Sequence, residues 1–434
     1  YTLSDTLSLH DALPIWVSIV ERRPGLGRGP AYGTSDPAFR LNVPAERMSV
    51  LPGRPNDFVE WARAGGTTVG AAALLPRYLF GSYVEARLAD AVADGRGKLW
   101  FHRSEAVVAS ADGVTLADGT FLPADAVVLA TGNQLPAAPA ALSRELLRSS
   151  LVVDDPWSDG ALARIAPGEE LLLVGSGLTA VDVLLALRNQ GHRGRIVVTS
   201  RHGLLPRPHL EAQGHASIEL DPERLPRDVR ALCRHIRDEV RRAEAVGIPW
   251  QRVIDALRPH TTEVWRGLPL AEQRSFMARI RPYWEVLRHR AAADSLATID
   301  AWRAEGRIEF VPGRIAAIGE DAGLAVELVP RGSDASRRLR FDRLILCTGP
   351  QTDVRHWPGA MYRHLLAEGL LQADPLGLGV VTDASGRAVD VRGAPSPWLF
   401  TLGALRRPHL WETTAVPDIV RQAAALAELL HDSR

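Results

Sequence analysis

Short apolar runs that end in glycine turns, followed by stretches of helical period, recur along the chain and predict an α/β protein. Leu171-Leu172-Leu173-Val174 reads as a buried strand of parallel type, and Val181-Asp182-Val183-Leu184-Leu185-Ala186-Leu187-Arg188 follows it as a helix. Arg195-Ile196-Val197-Val198-Thr199-Ser200-Arg201 reads as the next strand. Val17-Ser18-Ile19-Val20-Glu21 reads as a short buried strand that ends in an acid. Residues 1–15 have no glycine and no convincing period.

A repeat sets the expected architecture. Ala106-Val107-Val108 leads into two Asp-Gly turns, at Asp112-Gly113 and Asp118-Gly119, which predict a β-meander. The buried strand Ala126-Val127-Val128-Leu129-Ala130 then runs into Thr131-Gly132. The order recurs late: Gly313 to Ile318, Leu324 to Leu328, then Phe341 to Cys347 running into Thr348-Gly349. Two copies in register are stronger evidence than either alone.

Between the copies, Gly175-Ser176-Gly177-Leu178-Thr179-Ala180 matches G-x-G-x-x-A with its strand before it and its helix after it. Gly175 permits a tight turn, Gly177 lets a diphosphate approach the backbone, and the small Ala180 lets helix and strand pack closely. The helix N-terminus supplies free N–H groups and positive dipole. Where an acid would bind a ribose 2′-OH, the next strand ends in Ser200 and Arg201. An arginine there pairs with a 2′-phosphate, so NADPH is expected over NADH. Glu21, at the end of the first strand, is placed to bind the adenosine ribose of a second nucleotide.

The chain has 434 residues, enough for two or three domains, and Lys+Arg 51 balances Asp+Glu 51. That balance gives no basic footprint for nucleic acid, and no apolar run approaches the roughly 20 residues that span a bilayer. Cys233 and Cys347 form neither a disulfide framework nor a C-x-x-C pair, which fits a cytoplasmic setting. His235, His260 and His289 lack ligand spacing, so no metal is expected.

Residues 22–34, 41–49 and 55–61, together with Ala130-Thr131-Gly132-Asn133, Gly175 to Thr179 and the stretch from Leu402 to Gln422, resemble an FAD/NAD(P)-binding protein family among the flavoproteins with two dinucleotide-binding domains. The resemblance implies two nested Rossmann-like domains. Residues 16–165 and 335–434 would bind FAD, and 166–334 would bind NAD(P). Thr131-Gly132 and Gly349 would mark the crossings between them. It further implies that Arg22 stands beside the FAD ribose acid, and that a loop carrying Asn42, Val43 and Met48 lies along the flavin. Gly403, Thr413 and Thr414 would precede a C-terminal helix pointing at the flavin pyrimidine. Residues 1–15 are expected to be foreign to the fold, standing where a first strand and phosphate loop belong, and to leave FAD binding weak. The alternative is a divergent native N-terminus.

From about 210 to 302 the chain turns Arg- and His-rich, with helical spacing over 227–246 and 270–303. It reads as a helical insertion whose Trp250, Trp265, Trp284 and Trp302 are expected in a core. Arg207-Pro208-His209 and Arg407-Pro408-His409 repeat one tripeptide, and His409 is a candidate proton donor near the flavin. The expected function is an NADPH-dependent flavoprotein oxidoreductase acting with a small-molecule substrate or electron acceptor. If O₂ is the acceptor, it is a monooxygenase. The alternative is a nucleotide-binding protein without turnover.

Overall fold

The computed structural model describes residues 16–23, 25–70, 73–94, 98–210 and 217–432. Residues 1–15, and the expectation attached to them, lie outside the described residues.

Strand β1 (Trp16–Val20) pairs in parallel with β2 (Lys98–His102), and the Glu21 amide donates to the His102 carbonyl at 3.0 Å. The strand read as buried is exposed instead: Trp16 is 54% and Val17 39% accessible. Among the described residues β2 is its one strand partner, and a parallel strand is buried only when both faces are covered. The first meander forms as expected from β3 (Ala106–Ser110), β4 (Gly113–Leu116) and β5 (Phe121–Pro123), followed by β6 (Val127–Leu129).

The chain then builds one seven-stranded sheet from β7 (Val152–Val153), β8 (Leu171–Val174), β9 (Ile196–Ser200), β10 (Ile308–Glu320), β11 (Leu324–Pro330), β12 (Arg337–Phe341) and β13 (Arg343–Leu346). Its order is β12-β11-β10-β9-β8-β13-β7. The five strands from β10 to β7 are parallel, while β11 and β12 add antiparallel. Finally β14 (Arg387–Val389) and β15 (Pro395–Thr401) form a three-stranded sheet with β6, to which β15 is parallel.

Two expectations change here. Strand β13 was placed with the FAD segment, yet it lies between β8 and β7. Leu344, Ile345 and Leu346 are wholly buried, and a slot between two parallel strands satisfies both of their backbone edges. Because β7 precedes residue 166 and β13 follows 334, the sheet reaches past both expected boundaries. The strand beside β6 is β15. The repeat is thus partial, since the first meander is a sheet of its own and the second grows out of β10.

The insertion is helical as expected, through Val229–Ala245, Trp250–Leu257, Thr261–Gly267, Leu270–Ser275 and Arg281–Arg288. The helix expected across 270–303 is broken: His289 ends one piece, and Pro208 forms a parallel bridge with Ala291. The last helix, Ala293–Ala304, belongs to the sheet, because Ile299 and Trp302 pack with Leu171, Leu173, Ile196 and Val198. The insertion therefore ends before Ala293, short of Trp302.

Candidate nucleotide-binding site

At the carboxyl end of β8 the chain turns at Gly175 with φ +113°. A Cβ there would lie 2.1 Å from the Cys347 carbonyl oxygen, so glycine is required by both conformation and space. This is the point where the sheet order changes direction, with β9 on one side of β8 and β13 on the other. Open α/β sheets bind nucleotides in that crevice. Gly177 is exposed with open space where a Cβ would stand, and the helix Leu178–Asn189 starts after it. Leu178 packs against the core, and Ala180 is fully buried. The Ser176 hydroxyl donates to the Ser200 hydroxyl at 2.8 Å and lies 2.6 Å from the Leu204 carbonyl. Ser200 Oγ accepts from the Gly203 amide. Ser200 thus fixes the turn, while Arg201 is exposed beyond it. Burial, Arg331 and Arg201 together lower the His202 pKa, and Arg201 also bears on Arg281. Positive charge from Arg201, Arg331 and Arg281 gathers at the end of β9.

The two Thr-Gly turns come together. Gly132 and Gly349 have φ of +64° and +81°. The Ala137 amide donates to the Gly349 carbonyl at 3.1 Å, the Gln351 amide to the Leu135 carbonyl at 3.0 Å, and Thr348 Oγ1 to the Ala137 carbonyl at 2.6 Å. Thr131 Oγ1 lies 2.5 Å from the Tyr362 hydroxyl, whose pKa burial raises. The two crossings therefore form one paired junction between the sheets.

On the other side of that junction, Glu21 accepts from the Arg23 amide at 2.9 Å, and Arg22 is exposed. In the 41–48 loop Asn42 and Val43 are partly buried, whereas Met48 turns into a core with Phe58, Phe80 and Tyr83. The loop rests on Asp57, whose side chain is fully buried. Tyr83 donates to it at 2.7 Å, and Arg87 and Arg54 pair with it at 2.8 and 3.0 Å. Tyr83 in turn receives the Val50 amide.

Gly403 has φ +66° and is tied into the C-terminal helix Val416–Asp432. Thr413 donates to the Gly403 carbonyl at 2.7 Å, and Gln422 Oε1 accepts from the Gly403 amide at 3.1 Å. Thr413 is buried in that network, while Thr414 is exposed just before the helix. Burial, with Arg266 and Arg406 nearby, lowers the pKa of His409 against the pull of Asp383.

Several residues of this region carry no sequence signal. Trp411 has φ +59°, a strained conformation for a tryptophan. Trp265 and Phe276 of the insertion hold its ring at 4.6 and 5.1 Å, and Glu412 beside it pairs with Arg288 through two bonds of 3.1 and 3.0 Å. Burial would raise Glu285, yet His289, Arg407 and Arg281 hold it well below the carboxylate range. Asp182, on the helix after the glycine turn, pairs with Arg77 at 2.9 Å, and burial pushes its pKa up to about 6 against the pull of Arg77. Among the described residues no cluster suits a metal, and no helix is long and apolar enough to cross a membrane.

Residues 1–134 match a family described as FAD-NAD(P)-binding. No curated protein matches the chain in sequence. Among solved structures, it is similar to the FAD-bound cadaverine monooxygenase of desferrioxamine biosynthesis from Erwinia amylovora. The TM-score is 0.66 at 14% identity, over 96% of this chain and 88% of that one. The ornithine N-hydroxylase of Kutzneria sp. 744, with reduced FAD, NADP+ and L-ornithine, gives 0.62 at 14% identity over 96% and 92%. A bacillithiol disulfide reductase from Staphylococcus aureus gives 0.55 at 12% identity over 96% and 91%. The chain thus shares the fold of these FAD- and NADP-dependent proteins, and its residues 1–134 match the FAD-NAD(P)-binding family.

Proposed function

We propose that the chain is an NADPH-dependent flavoprotein oxidoreductase of monooxygenase type. The observation that carries this reading is the Gly175 turn at the sheet's switch point, with Arg201 exposed at the end of the neighbouring strand. Gly175, Gly177 and the amides at Leu178 and Thr179 hold the NADPH diphosphate. Arg201, in the positive field it shares with Arg331, takes the 2′-phosphate. Glu21 binds the adenosine ribose of FAD, with Arg22 beside it. Asn42 and Val43 line the flavin, and Met48 supports them from the core. Thr414 and the start of the C-terminal helix face the flavin pyrimidine, where the helix dipole favours negative charge. Bound FAD supplies the hydride acceptor for NADPH and the electron donor for O₂ or another acceptor. His409 is a candidate to exchange a proton near the flavin. The FAD-binding region lies outside the paired crossings at 131–137 and 348–351, and the NAD(P)-binding region lies between them.

A visible spectrum of the purified protein tests the reading. Flavin bands that bleach anaerobically with NADPH faster than with NADH, followed by O₂ uptake on mixing with air, are expected. A colourless protein that still binds NADPH would establish instead a nucleotide-binding protein without turnover.

A further inference from the structure

The insertion contains a cleft of about 510 Å³ between the helices Val229–Ala245 and Trp250–Leu257 and the segment at Arg207-Pro208. Clefts of roughly 300–1,000 Å³ with apolar walls and a few polar groups are the usual form of a small-molecule site. The walls here are Ile236, Val240, Trp250 and Ile254. Trp250 is braced from outside the cleft: the Arg290 guanidinium lies 5.4 Å from its ring centroid and pairs with Asp255 at 2.8 Å.

Two polar features break the apolar lining. Gln251 is 9% exposed, and its Oε1 is buried with no hydrogen-bond partner among the described residues. A buried amide oxygen left so loses the bonds it had to water, and a ligand donor restores one. At the edge stand the exposed Arg207 and Arg237, neither of which has an ion-pair partner among the described residues. Glu244 also lines the cleft, seven residues beyond Arg237, or about 10 Å along the helix at 1.5 Å per residue. The basic end and the acidic end are therefore separate, and Val240 lies between them.

We propose that this cleft is a binding site, separate from the nucleotide crevice, for an amphipathic carboxylic acid of medium chain length. Its carboxylate pairs with Arg207 and Arg237, its apolar body lies against Val240, Trp250 and Ile254, and a hydrogen-bond donor on the body reaches Gln251. An arginine fork suits a carboxylate in two-point geometry.

Binding is measurable without turnover. The full chain is titrated with 1-anilinonaphthalene-8-sulfonate, whose fluorescence rises out of water, and the probe is displaced with octanoate or octan-1-ol. One saturable site is expected, with octanoate displacing at a concentration at least about tenfold lower than octan-1-ol. Val240→Trp, which fills the cleft, should remove the saturable site and leave NADPH binding intact. In the Arg207→Ala/Arg237→Ala double variant, both changes being at exposed positions, the two competitors should displace equally. Equal displacement by both competitors in the unaltered chain overturns the proposal. So does an octanoate preference that survives the double variant, or probe binding unchanged by Val240→Trp in a protein that still binds NADPH.

Discussion

Leu171, Leu172 and Leu173 of β8 are wholly buried, whereas Trp16 and Val17 of β1 face outward beside Trp100 and Phe101. Both strands end where we propose that a nucleotide is held. The first is held by its neighbours, with parallel strands on both edges, the helices Leu178–Asn189 and Ala293–Ala304 on one face, and Leu142, Leu146 and β11 residues on the other, so apolar contact dominates. The region beyond the second is held differently. The 41–50 loop stands on one buried carboxylate, Asp57, with Tyr83, Arg87 and Arg54 around it and an aromatic group of Phe58, Phe80 and Tyr83 below. The same kind of task is met by packing on one side and by a polar network on the other. The two sides should therefore fail under different substitutions.

The largest effect is expected from Gly175→Ala. A side chain there meets the Cys347 carbonyl at 2.1 Å in a backbone conformation that disfavours it, so β8 and β13 must separate or the turn must refold. Calorimetric titration should show NADPH affinity reduced by at least about a hundredfold, while the 41–50 region stays folded. Next is Asp57→Ala, which strands the buried ends of Tyr83 and Arg87. Leaving the buried Tyr83 hydroxyl without its acceptor costs about 1–3 kcal/mol. Denaturant unfolding should show that loss with NADPH affinity unchanged; a parallel drop in NADPH affinity would abolish the contrast between the two sides.

Asp182 and Arg77 join the sides, and pH sharpens how. The folded Asp182 holds its proton up to about pH 6, above its ordinary value of 3.8. Its contribution to stability is therefore fully present below the ordinary carboxylate pKa and is lost as pH rises through about 6. A shift of this size corresponds to about 2–3 kcal/mol. Melting curves between pH 4.5 and 7 should show this component in the native chain and its absence in Asp182→Asn. The smallest effect is expected from Arg201→Ala. Losing one charge-assisted bond to the 2′-phosphate costs roughly 1.5–3 kcal/mol, about tenfold or more in NADPH affinity, with NADH unaffected. Equal losses for both nucleotides would remove Arg201 from the site.

What the sequence determined by itself is contiguous. Strand β8, the Gly175 turn and the helix after it form one run of residues whose apolar pattern and glycines need no distant partner to be read. The first meander announces itself through its two Asp-Gly turns. Tertiary structure decided the rest. The residues of β13 look like those of β6, yet the open slot beside β8 took the first and left β15 to pair with the second. Asp57, Asp182 and Trp411 acquire their roles from residues 26 to 146 positions away, which no local pattern records. Arg207-Pro208-His209 lies extended beside Ala291, whereas Arg407-Pro408-His409 opens a short helix. Proline fits both an extended segment and a first helical turn, so the tripeptide itself is neutral between them. The choice falls to what each copy packs against, because only there are its backbone groups satisfied.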